Sequence, residues 1–219
     1  MLFSADQTVY GVQLKTWIFG VGCSFHRRFA VYVELSYAPA GCMKTRTKQF
    51  IQNLSHDIED EEKAESYLEE SLPLVGLVVM YFNVLEKSLD ALICQTISDR
   101  SEVSGMIVIQ KLMYAAKLDL FKRFADDFNL CAPIKPPKFD ELIAELSEVA
   151  RLRNLVVHAD WSSTDEEGYT YVRLKSTKNG LLQEYAQLSV ESLDALIKRI
   201  LEADHSLWGY WEWRSECLA

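Results

Sequence analysis

From Leu74 to Ile97 apolar side chains recur at Val78, Phe82, Leu85, Leu89 and Leu92, with further apolar residues beside them. That spacing is helical, and so few polar positions interrupt it that the helix must be covered on most sides. A helix of this kind needs several partner elements around it. Its polar exceptions, Asn83, Glu86 and Asp90, lie at i, i+3 and i+7 and form one stripe along the same cylinder. Just upstream, Pro73 breaks or restarts the helix. The acidic stretch from Glu59 to Glu70 reads as a separate, solvated helical face.

The rest of the chain supplies the cover. A second helix is expected from Gly105 to Asn129, with Met106, Ile109, Met113, Ala116, Leu120, Phe124 and Phe128 inward and Lys111, Lys117, Lys122 and Arg123 on its other sides. The prolines between Cys131 and Pro137 cannot continue a helix and mark a loop. A third helix, Phe139 to Asp160, carries Phe139, Leu142, Leu146, Val149 and Val156 on one stripe. Next come two strands, Tyr169 to Lys175 and Leu181 to Leu188, joined at Lys178-Asn179-Gly180; Asn-Gly is a strong hairpin signal. Ser189 suits an N-cap for a last helix that turns Leu193, Leu196, Ile197, Ile200 and Leu201 inward. The aromatic tail, Trp208 to Trp213, folds back on the body or meets a partner. The expected fold is mainly α: an antiparallel helical bundle with a small β-hairpin before its last helix.

Residues 1–42 differ in composition: only Asp6, Lys15, Arg27, Arg28 and Glu34 are charged, and aromatics are frequent. They are read as an N-terminal extension upstream of a start at Met43, or as a small peripheral β element with a strand from Phe29 to Tyr37. Residues 43–219 form the helical domain. Over the 219 residues, 23 Lys plus Arg stand against 32 Asp plus Glu, a net charge of −9. That balance excludes a general basic nucleic-acid binder and leaves room for a local basic site. Cys23, Cys42, Cys94, Cys131 and Cys217 are odd in number and contain no CxxC pair, so neither a zinc site nor a disulfide framework is expected. The reading is a cytoplasmic protein with reduced thiols, no cofactor and no metal. A near-apolar run of about 12 residues from Leu74 falls short of the ~20 that span a bilayer, so no membrane association is expected.

Arg153 occupies the apolar stripe of the third helix, where the progression 146, 149, 153, 156 calls for a leucine. A guanidinium placed there needs a carboxylate or a polar groove, and Glu86 is the best carboxylate candidate. His158 follows five residues later, about 140° further round the helix, near the C-terminal end that favours cations. Arginine with histidine suits RNA transesterification: imidazole moves the 2′-hydroxyl or leaving-group proton, and guanidinium holds the phosphate. The plainer reading is an Arg153 that anchors a buried polar network and a His158 that caps a helix end.

Arg153-Asn154-Leu155-Val156-Val157-His158, late in a bundle helix, resembles the Arg-x4-His signature of the HEPN superfamily, in which the residue after Arg is typically polar. The earlier helix with Tyr81-Phe-Asn-Val-Leu-Glu-Lys-Ser-Leu89 and the Lys-bearing second helix fit the same pattern, over about residues 60–205. The resemblance implies a metal-independent endoribonuclease, a toxin or phage-defence effector, with Arg153 and His158 catalytic and Asn154 supporting. It further implies RNA as substrate, a homodimer that joins two Arg–His pairs in one cleft, and a cognate antitoxin or other protein partner. Other members of the superfamily are non-catalytic modules that bind protein or nucleotide, and that is the alternative. Where toxins of this type carry a tyrosine two residues after the histidine, this chain has Asp160, which could instead orient His158. Tyr169, Tyr171, Arg173 and Lys175 alternate onto one strand face that could contact RNA, or pack on the bundle. Ser55, His56 and Asp57 place triad residue types side by side, the wrong geometry for a triad.

Overall fold

Asp60 opens the first helix by accepting a hydrogen bond from the Lys63 amide at 3.1 Å. In this computed structural model, which describes residues 43–51, 58–134, 136, 138–178 and 180–218 in full, that helix, α1, runs unbroken from Glu61 to Ile97. Pro73 does not end it. The proline sits on the exposed side, where the carbonyl it deprives of an N–H partner is open to water. The inward stripe is the expected one: Val78, Phe82, Leu85, Leu89 and Leu92 are all buried.

Four more helices surround it: α2 (Glu102–Ile109), α3 (Tyr114–Cys131), α4 (Phe139–His158) and α5 (Val190–Leu218). All four pack on α1, and α5 runs along it. The single second helix expected from the sequence is therefore two. Gly105 of α2 lies so close to α1 that a Cβ there would stand 2.5 Å from Cys94 Cα, which holds α2 to its own line of approach. The inward face of α3 is also rotated from the expected one. Lys117, Leu118, Phe121 and Ala125 are buried, whereas Met113 and Ala116 at its start are exposed; on α2, Ile109 is buried and Met106 is exposed.

On α4 the stripe Phe139, Leu142, Leu146, Val149 and Val156 is buried as read from the sequence. Ser189 accepts from the Ser192 amide at 3.2 Å at the start of α5. Leu193, Leu196, Ile197 and Ile200 are buried there, while Leu201 faces outward. The aromatic tail is the last part of α5 itself. Tyr210 is buried against Phe121 and Phe139, and Trp213 meets Phe128 edge-on.

Strands β4 (Tyr169–Thr177) and β5 (Gly180–Gln187) form the hairpin, and the stretch Thr45–Gln49 adds a third antiparallel strand beside β5. This third strand, β3, is an addition to the hairpin; Thr45, Arg46, Thr47, Lys48 and Gln49 are polar on both of its faces. Gly168, at the entry to β4, has φ +79°, and a Cβ there would collide with the Tyr67 ring of α1. Burial, with the nearby Glu191 carboxylate, pushes the Tyr67 phenol up to about 12.

Residues 1–39 form a separate unit containing an antiparallel hairpin, strands β1 (Ser4–Val9) and β2 (Val12–Trp17), described as backbone. The strand expected from Phe29 to Tyr37 lies outside the described residues. Cys94, Cys131 and Cys217 are free thiols.

Among the described residues one helix, α1, is long and apolar enough to cross a membrane by length and composition, with mean hydropathy 1.4 over 18 residues. It exceeds the run of about 12 read from the sequence because Pro73 does not interrupt it. Its inward side is the bundle's core. Only 22% of that window is fully buried, because Leu72, Met80 and Val84 on the outward side are each half exposed.

One half-buried carboxylate on α5 is poorly served. Burial raises the Asp204 pKa above the ordinary aspartate value, partly offset by a hydrogen bond with Ser88, and its Oδ1 has no partner. The folded chain therefore holds this proton more tightly than the unfolded chain does. Stability is highest below the unfolded aspartate pKa and declines as pH rises through the folded one. Asp204→Asn is expected to raise the melting temperature at pH 7 and to lose that advantage near pH 4, as read by thermal unfolding at both pH values.

Candidate functional site

The last two turns of α4 present Arg153, Asn154 and His158. The helix stops at His158 because Ala159 turns to an extended conformation and Asp160 leaves to join β4, its amide donating to the Tyr171 carbonyl at 2.8 Å. A short 3-10 turn, Trp161–Ser163, follows, and the Trp161 indole N–H donates to the Val156 carbonyl at 2.9 Å, occupying one of the helix's terminal acceptors.

Arg153 is half-buried. Its guanidinium carbon lies 5.2 Å from the centroid of the Phe82 ring on α1, within cation–π range. At the surface Nη1 donates to Asn154 Oδ1 at 3.0 Å, while Nε is buried without a hydrogen-bond partner. The neighbouring Leu152 takes the core position, so the helix turns Arg153 slightly off the apolar stripe. His158 is exposed. Asn154 stands four residues before it and so lies on the same helical face. The Arg153–Asn154 bond thus draws the guanidinium toward the side on which His158 projects. Two proton-carrying groups, one a permanent cation and one an imidazole, share the open end of one rigid helix.

The expected Arg153–Glu86 pair does not form. Glu86 accepts from Lys117 Nζ at 2.8 Å, and Asp90 accepts from the same nitrogen at 2.9 Å. The reason is geometric: Lys117 enters from α3 on the flank of α1 that carries the Glu86–Asp90 stripe, whereas Arg153 enters from α4 over Phe82. Burial alone would lower the Lys117 pKa, but the hydrogen bonds from both carboxylates reverse this and hold it above the ordinary lysine value. Sequence reasoning placed Lys117 on an outer face. The signal it missed was two carboxylates four residues apart on a largely covered helix, which need a cation. Beside them Tyr114 packs on Phe82, ring centroids 4.9 Å apart, and donates its hydroxyl to the Leu146 carbonyl on α4 at 3.3 Å. Burial, then Glu86, raises the Tyr114 phenol pKa.

Asp160 does not orient His158. Its carboxylate accepts from the Ser162 hydroxyl at 2.6 Å, and its backbone is committed to Tyr171. The aromatic and basic face expected on β4 is split. A bulge between Tyr171 and Arg173 makes these two pair with Tyr185 and Glu184, which are consecutive on β5 and face opposite ways. Tyr171 stays with Tyr185, ring centroids 5.8 Å apart. Arg173 is tied to Glu184 at 2.6 Å, and Lys175 lies on that second face, exposed. The tyrosine side gets its cations from β3 instead: the Arg46 guanidinium is 4.3 Å from the Tyr169 ring, and Lys48 is 5.7 Å from the Tyr185 ring.

Among the described residues no three His, Cys, Asp or Glu side chains are grouped to hold a metal ion; Ser55, His56 and Asp57 lie outside them. No family model, no curated protein and no solved structure matches this chain.

Lys117→Met would leave two carboxylates facing each other on a partly buried surface, at a cost of about 2–3 kcal/mol. Adding Glu86→Gln and Asp90→Asn to that variant should restore most of the loss. Urea unfolding of the parent, the single and the triple variant checks both statements.

Proposed function

We propose that this chain is a metal-independent endoribonuclease of HEPN type that acts as a homodimer in the cytoplasm. The observation that carries this reading is the placement of Arg153. Its guanidinium is clamped between Phe82 and Asn154 at the end of α4, five residues before an exposed His158 that makes no hydrogen bond to another described residue.

The chemistry needs no further group. The 2′-hydroxyl gives its proton to a histidine and attacks the adjacent phosphorus. The P–O5′ bond breaks, and the departing 5′-oxygen takes a proton from a protonated histidine. A 2′,3′-cyclic phosphate and a 5′-hydroxyl remain. One imidazole cannot be base and acid in the same instant, so two His158 side chains from two copies suit the step. Arg153 balances the charge that builds on the phosphoryl oxygens. The half-exposed Leu72, Met80 and Val84 on the outward side of α1 give a second copy an apolar surface to cover. Such a nuclease would serve as a toxin or phage-defence effector. Asp160, tied into the sheet, offers no phenol for adenylylation, so neutralisation by an antitoxin would take another route.

The net charge of −9 favours a second reading, a non-catalytic HEPN-like module that binds protein or nucleotide. Cleavage separates the two. With EDTA present, the parent should cut single-stranded RNA to cyclic-phosphate ends. His158→Ala and Arg153→Ala should each lose about 100-fold or more. Cleavage that persists unchanged in both variants would contradict the site, and a folded parent that cuts no RNA would favour the binding module. Light scattering should find a dimer that Met80→Glu with Val84→Glu converts to monomer.

A further inference from the structure

We infer that Phe82 is a positioning residue for Arg153: its aromatic face, and not merely its bulk, fixes the guanidinium at the end of α4. The inference deepens the nuclease reading and rests on it for its consequence in catalysis, though not for the contact itself. Phe82 is 3% exposed and belongs to the buried stripe of α1, where burial alone calls for an apolar side chain and not specifically an aromatic one. What a leucine lacks is a negative ring face under a cation. The guanidinium carbon is 5.2 Å from that ring; among the described residues Nε finds no acceptor, and Asn154 holds the other edge. Among the described residues no carboxylate pairs with Arg153; the two on the facing stripe of α1, Glu86 and Asp90, are committed to Lys117.

The ring is itself held. Tyr114 backs it at 4.9 Å with a 50° tilt, and the Tyr114 hydroxyl reaches the carbonyl of Leu146, seven residues before Arg153 and so on nearly the same side of α4. Three helices therefore meet at one aromatic pair: α1 supplies the face, α3 supports it, and α4 carries both the anchor and the cation. An ion pair would hold Arg153 too, but it would neutralise the charge needed for a phosphate. An aromatic face holds the cation and leaves its charge available.

Replacing Phe82 with pentafluorophenylalanine tests this, because the ring keeps nearly its shape while its quadrupole is reversed. The Arg153 Nε–Hε resonance of the full-length, 15N-labelled protein should shift and sharpen toward that of a free, mobile arginine. RNA cleavage should fall about fivefold in kcat/KM, the size of a partly desolvated cation–π contact, with the loss in kcat. Phe82→Leu should reproduce the NMR change, and Phe82→Tyr should leave the resonance close to the parent's. An Nε–Hε resonance unmoved by pentafluorophenylalanine would overturn the inference whether or not the protein cuts RNA. A moved resonance in a protein that cuts no RNA would uphold the contact and overturn the nuclease reading instead.

Discussion

Everything in the bundle depends on the burial of one stripe of α1. Val78, Phe82, Leu85, Leu89 and Leu92 cannot be covered by a single partner, so α2, α3, α4 and α5 all pack on this helix. Each fully buried side chain of this size contributes about 2 kcal/mol of transfer free energy, and the stripe brings the helices to one axis. Once they are there, the polar groups of α1 must be met locally. Lys117 meets Glu86 and Asp90, and the Trp208 indole reaches Ser88.

The same stripe positions the candidate site. Phe82 is at once a core residue and the surface under Arg153, so the packing that stabilises the bundle also sets the place of a cation at its rim. His158 owes its exposure to the end of α4, where the chain turns out of the helix and into the sheet through Asp160. The bundle thus separates its charges. Lys117, in the interior, is matched by two carboxylates, while Arg153, at the edge, meets an aromatic face and an amide oxygen among the described residues.

Much of this was legible in the sequence where one period dominated. The apolar stripes of α1 and α4, and all of that of α5 but Leu201, were legible because one helical period dominates there, and the hairpin was marked by Asn-Gly. The failures lie where two signals competed. Pro73 looked like a helix end, yet burial on both sides of it carries α1 through. Met106 and Met113 looked inward, but α2 packs on Cys94 through Gly105, and the demand of Glu86 and Asp90 for Lys117 turned α3 to another face. β3 was hidden because a five-residue strand of threonines and cations is polar on both sides. Of the candidate site, Arg153, Asn154 and His158 lie on the last two turns of α4, Glu86, Asp160 and Arg173 are engaged elsewhere, and Lys175 is exposed on the sheet face opposite the tyrosines. Which carboxylate meets which cation is set by helix rotation, which spacing within one helix does not encode.

The central claim is that Arg153 and His158 serve one anionic ligand at the end of α4. A 2′-deoxy dinucleotide, which cannot be cleaved by 2′-hydroxyl attack, should be titrated into 15N-labelled protein while the Arg153 Nε–Hε and His158 ring resonances are followed. The account predicts that both move together and fit one dissociation constant. Movement confined to the Arg46, Tyr169 and Tyr185 side of the sheet, with Arg153 and His158 unchanged, would contradict it.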